Sequence, residues 1–453
     1  MPTQPHIFKA YDIRGKYPAE LDEAGARGIG NAIAAHLLRV QKKKKLTLLV
    51  CRDIRTSSES LARAAVQGIT ESGCDVLDAG IATTPFFYFL LHTVKCDGGV
   101  VITASHNPAE YNGMKICGKN GAAVSEGNGM EEIRDMVFAK KYVQAKTPGT
   151  IEILGDFRRE YAVFVTKKSK VLPTRAVIDA CGGATTYILP EVLGRLSAFE
   201  YKPIFFEPDG TFRRHSPNPL DTASQKHIVR ELRAGNYRFG TIFDGDGDRI
   251  LFFDEKGGVI SSEFIGALFM DQFLAKEPGA AIVMPPNTSR GVREYITEHG
   301  GKIKLSRVGY AFIQPAMRKL NAVFGAELSG HFHFRDFFFK DSGVYALVKF
   351  SEFLSGTNRP LSELIAPMKR YVSSGEVNFS VRNKDKVLAA VEAHFQEFKN
   401  AVISKIDGIS VDFPEWWFNM RGSNTEPLVR LVLEAKTEKL FQEKFEEVKK
   451  FLW

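Results

Sequence analysis

The stretch Leu46–Ile69, LTLLVCRDIRTSSESLARAAVQGI, runs an apolar segment into a loop of small and polar residues and then into a helical pattern. A buried strand followed by an amphipathic helix is the signature of an α/β layer. The same order recurs in Thr174–Leu196, TRAVIDACGGATTYILPEVLGRL, and in Ala280–Gly300, AAIVMPPNTSRGVREYITEHG. Recurrence at intervals of about a hundred residues predicts three related α/β domains. Ser57 or Ser58, standing before the periodic stretch, is expected to cap the first of these helices.

From about Tyr371 the pattern changes. Strand (EVNFSV), helix (LAAVEAHFQEFKNAV), strand (GISVDF), a turn-rich loop (NMRGSNTEP), strand (LVRLVLEA) and a final helix (EKLFQEKFEEVKKFLW) describe a smaller α+β module. Candidate boundaries are the KTPGT turn near Thr147, the position just after Arg249, and the stretch Met368–Ser374. They divide the chain into domains at 1–148, 149–250, 251–369 and 370–453, and 453 residues exceed what one hydrophobic core serves.

Composition narrows the class. A 44% hydrophobic and 25% charged chain is globular, and 35 phenylalanines suffice for several cores. No apolar run approaches the roughly 18–20 residues that span a bilayer. The start MPTQPHIFKAYDIRG lacks a signal-type apolar region, so a cytoplasmic protein without a membrane partner is expected. Cys51, Cys74, Cys96, Cys117 and Cys181 form no C-x-x-C pair, which predicts reduced, mostly buried thiols. The net charge of +8 fits anionic partners of several kinds. Its densest run, Lys42–Lys45, reads as a solvated loop, and no nucleic-acid module accompanies it.

Four motifs carry chemistry. In FDGDGDR, Phe243–Arg249, Asp244, Asp246 and Asp248 alternate with glycines, so their carboxylates can converge on one hard cation. Oxygen ligands without His or Cys favour Mg²⁺ over zinc. An EF-hand is disfavoured, because its sixth position would be Arg249 and the flanks TIF and ILFF are strand-like. The competing reading is a plain solvated acidic turn. In VVITASHNPAEYNGMK, Val100–Lys115, an apolar strand leads to Ser105, and Asn107-Pro108 turns the chain at the strand end, where open α/β sheets bind ligands. No G-x-S-x-G elbow surrounds Ser105, which lowers the acyl-transfer reading, while His106 and Lys115 supply a base and a cation nearby. In GAELSGH, Gly325–His331, Glu327 is suited to accept vicinal sugar hydroxyls. In RGSNTEP, Arg421–Pro427, Arg421, Ser423, Asn424 and Thr425 suit a phosphate dianion. Taken singly, the last two read equally as ordinary loops.

Together, FKAYDIRG, TASHNP, DGDGDR, AELSGH and RGSNTEP resemble, in order, the α-D-phosphohexomutase superfamily, and within it the phosphomannomutase/phosphoglucomutase group. EPDGTFRRHSPNPL (Glu207–Leu220) and FKDSGVYA (Phe339–Ala346) extend the similarity over essentially the whole chain. The resemblance implies a heart-shaped fold of four domains, three related α/β domains and a smaller C-terminal one, each giving a loop to a central cleft. It implies that Ser105 is a phosphoserine, that Asp244, Asp246 and Asp248 hold Mg²⁺ with it, and that a hexose 1,6-bisphosphate is intermediate and activator. It places Arg14, Lys115, His106 and His331 in the chemistry, with Lys115 as general base through a depressed pKa. Substrate contacts would come from Tyr11, Arg249, Tyr310, Glu327, Ser329, His331, Arg421, Ser423, Asn424 and Thr425.

The implied activity interconverts the 6- and 1-phosphates of mannose or glucose, in a monomer or weak homodimer. A phosphoglucosamine mutase is the nearest alternative, and Leu328 in the sugar loop favours the former. A catalytically silent sugar-phosphate-binding protein is a further one, opposed by the intact Ser105 and Asp set. Pro286 stands where the family often has a substrate-contacting lysine, and Tyr310 where a histidine is usual. Arg307 or Arg290 is the expected replacement cation.

Overall fold

The computed structural model describes residues 3–167, 169–422 and 428–452. They separate into two compact units: 1–260 with 329–331 and 340–361, and 261–328 with 332–339 and 362–453.

The first unit holds two sheets. One comprises β1 (Ile13–Lys16), β2 (Thr47–Arg52), β3 (Asp75–Ile81), β4 (Gly98–Ile102), β5 (Tyr111–Cys117) and β6 (Ile151–Ile153), in the order β1-β5-β4-β2-β3-β6. β2 is flanked by parallel neighbours, and its inner residues Leu48–Cys51 are buried, as a continuous apolar run requires. The helix Ser58–Glu71 buries Leu61, Ala65, Val66 and Ile69 at helical spacing. Neither serine caps it. Asn112 Nδ2 donates to both hydroxyls at 2.9 Å, and Ser58 Oγ donates to Asp53, so a buried network claims the side chains expected at the helix start. The other sheet comprises β7 (Thr174–Asp179), β8 (Phe199–Ile204), β9 (Phe239–Phe243), β10 (Ile250–Phe253) and β11 (Val259–Ile260), in the order β11-β10-β9-β7-β8.

The second unit holds β12 (Ala281–Met284), β13 (Lys302–Leu305), β14 (Phe324–Ala326) and β15 (Phe332–Phe334), ordered β13-β12-β14-β15. β16 (Lys340–Asp341) belongs to the first unit. The C-terminal sheet contains β17 (Val372–Ser373), β18 (Val377–Ser380), β19 (Val402–Ser404), β20 (Ile409–Asp412), β21 (Trp416–Gly422) and β22 (Leu428–Ala435). Its ladders are antiparallel, and its core gathers Phe395, Trp416, Phe418 and Leu433 under two helices.

One topological device recurs in the first three sheets. A parallel strand turns back as an antiparallel partner: β4 into β5, β9 into β10, β14 into β15. The connections are the segments bearing Ser105, Asp244–Arg249 and Glu327–His331, so three of the four motifs occupy equivalent turns.

Two boundaries and the packing of one helix differ from expectation. β6 pairs in parallel with β3, which carries the first sheet past Thr147 to Ile153. A cut after Arg249 would split the β9–β10 hairpin, whose acidic turn joins two strands of one sheet. The helix Gly343–Ser355, assigned by position to the third domain, packs on the second sheet, where Phe350 meets Phe239 and Phe252 at ring separations of 5.1 and 4.5 Å. Buried aromatic area, not chain order, decides its home. All five cysteines are free, four buried and Cys96 half-buried, as expected. In the lysine run, Lys45 pairs with Asp75 at 2.8 Å and Lys43 with Asp97, on an exposed loop.

Candidate active site

Ser105 follows β4 on a left-handed backbone with φ of 51°. For a residue with a Cβ this conformation costs roughly 1–2 kcal/mol and persists only where neighbours over-determine it. Here the Ser105 N–H donates to Thr103 Oγ1 at 2.9 Å, and its hydroxyl donates to Asp244 Oδ2 at 2.9 Å. His106 Nδ1 lies 3.2 Å from the same Oγ.

The acidic turn is tight. Gly247 takes φ of 73°, and Asp244 Oδ1 accepts the N–H of Gly247 at 2.9 Å and of Arg249 at 3.2 Å. At Gly245 a Cβ would lie 2.6 Å from the Ser105 carbonyl oxygen, so only glycine lets the two loops meet. Asp246 Oδ2 accepts from Thr84 Oγ1 at 2.6 Å and from Lys115 Nζ at 2.7 Å, and Lys115 also pairs with Asp248. Ligand-type oxygens of Asp244, Asp246 and Asp248 lie within 4.8 Å of one another, all three residues buried. Asp246 Oδ1 and Asp248 Oδ1 find no hydrogen-bond partner among the described residues. Burial first, then Asp246 and Asp248, push the Asp244 carboxyl well above the usual range. Three crowded carboxylates with orphaned oxygens fit a divalent cation, not a solvated turn.

Lys115 departs from expectation. Burial pulls its pKa down, but Asp246 and Asp248 outweigh burial and raise it above the ordinary lysine value. Its contacts favour the charged form and do not give the depressed pKa expected of it. Arg14 donates to Asp12 Oδ2 from Nη2 at 2.7 Å and to Asn107 Oδ1 at 2.6 Å. Arg249 Nε lies 3.8 Å from Asp244 Oδ2. His106 is pushed well below the usual histidine range, by burial first and then by Arg249 and Arg14. For His331, burial opposes the charged form, but Asp248 and the hydrogen bond to Asp341 prevail and its pKa rises. Its Nδ1 lies 2.7 Å from Asp341 Oδ2.

The first unit thus gathers Ser105, His106, Lys115, Arg249, His331 and the three aspartates, with Arg14 in electrostatic reach of Asp246 and Asp248. Tyr11 stands in the bend before β1, next to Asp12, and Ser329 lies half-buried in the turn ahead of His331. Asp341, Thr84 and Asp12 complete the arrangement without having been singled out, and Asn107, read only as a turn residue, joins them through Arg14. Asp341 lies inside FKDSGVYA, so that motif carried a signal; Thr84 had none, its partner being 162 residues away.

In the second unit Glu327 is buried, accepting the Gly309 N–H at 2.9 Å, and lies 3.2 Å from His333 Nε2. Gly309 has φ of 113° and precedes Tyr310, the first residue of the helix Tyr310–Leu320. Arg421 is the penultimate residue of β21, and its Nη2 donates to Glu376 Oε2 at 2.9 Å. Glu376 also accepts from Arg430 and from Asn287, each at 3.0 Å. Arg421 Nε has no partner among the described residues. Ser423, Asn424 and Thr425 lie outside the described residues.

Arg290 is not a replacement substrate cation. Its guanidinium is spent on Asp412 and the carbonyls of Pro414, Phe413 and Trp416, and its N–H on Glu434, which ties a helix to the C-terminal sheet. Arg307 is exposed, 4.1 Å over the Phe312 ring.

Comparisons with known proteins agree with this layout. Residues 5–144, 157–258 and 261–371 match the alpha/beta/alpha domains I, II and III of phosphoglucomutase/phosphomannomutase, and 376–451 its C-terminal domain. A phosphomannomutase of Methanocaldococcus jannaschii is 37% identical over 98% of this chain and 97% of its own. Phosphohexose mutases of Xanthomonas campestris are 36% identical over 95% of both chains. The structure of a phosphoglucomutase/phosphomannomutase family protein from Burkholderia thailandensis superposes with a TM-score of 0.89 at 29% identity, covering 99% of this chain and 98% of that one. Four domains in order and relatives spanning the whole chain lead to one conclusion: this chain is an enzyme of the phosphoglucomutase/phosphomannomutase family.

Proposed function

We propose that the protein interconverts hexose 6-phosphates and hexose 1-phosphates, of mannose or glucose, through phosphorylated Ser105 and a hexose 1,6-bisphosphate. The observation that carries this reading is the Ser105 hydroxyl, 2.9 Å from Asp244 and beside a buried set of three carboxylates and Lys115. Asp244, Asp246 and Asp248 would hold Mg²⁺, which when bound neutralises charge on the phosphoryl oxygens.

The chain's own residues do the rest. Phosphoryl transfer needs positioning and charge neutralisation above all. Lys115, Arg14 and Arg249 supply fixed positive charge. His106, neutral near pH 7 and 3.2 Å from Ser105 Oγ, is placed to take the hydroxyl proton as Ser105 accepts a phosphate. His331, held charged against Asp341, is suited to donate a proton or to pair with an oxyanion. The sugar hydroxyl then attacks phosphoserine, and the bisphosphate must reverse before its other phosphate returns to Ser105. Glu327 is assigned to the sugar hydroxyls, and Arg421 with the 423–425 segment to the phosphate that is not being transferred. Both orientations use the same grip, so it must recognise a phosphate rather than one ring carbon.

The working setting is proposed to be the cytoplasm, as a monomer or weak homodimer, without nucleic acid or membrane partners. Among the described residues no helix is long and apolar enough to cross a membrane. A coupled assay with mannose 1-phosphate, glucose 1-phosphate and glucosamine 1-phosphate, each with Mg²⁺ and a trace of sugar 1,6-bisphosphate, tests the reading. Turnover of mannose or glucose phosphate is expected, and turnover of none would overturn it.

A further inference from the structure

Arg55 sits behind the serine loop, its side chain wholly buried. An arginine has five N–H donors in a rigid fork, and here each one has a partner. Nε donates to Asp53 Oδ2 at 3.2 Å, Nη1 to the carbonyls of Pro108 at 2.7 Å and Tyr111 at 3.1 Å, and Nη2 to those of Ser105 at 2.8 Å and Asn107 at 2.7 Å. Four carbonyls of the seven-residue segment 105–111, which leads into β5, thus converge on one cation.

That pattern exceeds what burial alone requires. Left-handed Ser105 turns its carbonyl into the protein, where an unpaired oxygen is costly. Arg55 is its side-chain donor and so stabilises the strained conformer. Asn107, gripped by its carbonyl, presents its Oδ1 to Arg14 at 2.6 Å. One guanidinium therefore sets both the hydroxyl that reacts and a cation of the site. Asp53 holds Arg55 at both ends, its Oδ2 on the fork and its Oδ1 accepting the backbone N–H at 2.9 Å. On the open side the Phe212 ring covers the guanidinium at 5.0 Å, and Gly210 lets that loop approach, for a Cβ there would stand 2.1 Å from the Ile54 carbonyl.

We propose that Arg55 is the positioning residue of the phosphoryl-transfer step: by bonding the Ser105 and Asn107 carbonyls together, it fixes Ser105 Oγ and, through Asn107, Arg14. It touches neither substrate nor phosphate. The proposal rests on the reading of Ser105 as the phosphoryl carrier. Misplacing a reacting group by about 1 Å costs on the order of 100-fold in rate. Lysine, with three donors on a point-like head, keeps the charge but cannot span four carbonyls.

The test compares wild type with Arg55→Lys in steady-state turnover and in single-turnover phosphorylation of Ser105 by glucose 1,6-bisphosphate, followed by intact mass on the folded fraction. Expected is a 10- to 100-fold fall in both kcat and the phosphorylation rate (about 10²-fold at most), with KM for the sugar phosphate within threefold. A purely structural role would instead lower the folded fraction and leave the rate per folded molecule unchanged, and that result overturns the proposal. Should Arg55→Lys fail to accumulate, Asp53→Asn keeps the guanidinium and loosens its orientation. The same split at smaller amplitude supports the proposal, and an unchanged rate per folded molecule overturns it. A wild-type protein that takes no phosphate on Ser105 would bring down the serine reading itself, and Arg55 with it; a normal wild type beside a normal Arg55→Lys brings down Arg55 alone.

Discussion

In the first unit Asp246 and Asp248 share Lys115, and each still leaves a carboxylate oxygen without a hydrogen-bond partner among the described residues; in the second, Glu376 is saturated by Arg421, Arg430 and Asn287. The first region is short of positive charge, and the second carries two arginines on one carboxylate with an Arg421 N–H to spare among the described residues. Buried groups left in such imbalance are costly unless a ligand of the opposite sign completes them. The contrast separates a place suited to a cation, where chemistry would occur, from a place suited to an anion, where substrate would be held. Rate should therefore depend on the first region and affinity on the second.

The largest effect expected under that rule is that of Lys115→Met. Asp246 and Asp248 would then lose the cation between them, so kcat should fall about 100- to 1000-fold. Breaking a buried pair also costs about 3–5 kcal/mol in thermal or denaturant unfolding without metal, and saturating Mg²⁺ should recover part of it. A variant with normal kcat would show that the charge at this position is dispensable. In the second region, Arg421→Gln removes a charge-assisted contact of about 2 kcal/mol, so KM should rise roughly 30-fold with kcat nearly constant. A fall in kcat at unchanged KM would erase the division of labour.

The smallest effect concerns stability alone. Glu263 accepts the Ser289 N–H at 2.7 Å, and its carboxyl is pushed up to about 8 by burial above all, with Glu434 adding against that hydrogen bond. An acid whose pKa is raised on folding binds more protons folded than unfolded between its ordinary value and the raised one. Stability should therefore fall as pH rises from about 4.5 to about 8, and level off above. Part of the side chain meets solvent, which limits the loss to about 1–2 kcal/mol. Glu263→Gln should flatten the slope and leave KM and kcat unaltered; an equally steep slope in the variant would show another group titrating.

What could be read in advance was local. The strand-to-helix repeats at Leu46, Thr174 and Ala280 were visible because burial imposes its periodicity within about twenty residues. The motif around Ser105 and the alternating aspartates were visible for the same reason. Non-local features were not. β21 was missed, with Trp416–Phe418 left unassigned and Asn419–Gly422 read as the start of a turn-rich loop, because its strand character comes from pairing with β20 and β22. That the helix Gly343–Ser355 packs on the second sheet was not legible, because its phenylalanine partners lie some hundred residues earlier. Lys115 was misread because the carboxylates that govern its proton lie 131 and 133 residues away. Arg55 escaped notice altogether, its carbonyl partners standing 50 to 56 residues on.

The most direct measurement is the intact mass of the purified protein after incubation with glucose 1,6-bisphosphate and Mg²⁺, beside Ser105→Ala. The account predicts one added phosphate, mapped to Ser105, lost in the variant together with mutase turnover. A phosphate on another residue, or turnover surviving in Ser105→Ala, would contradict it.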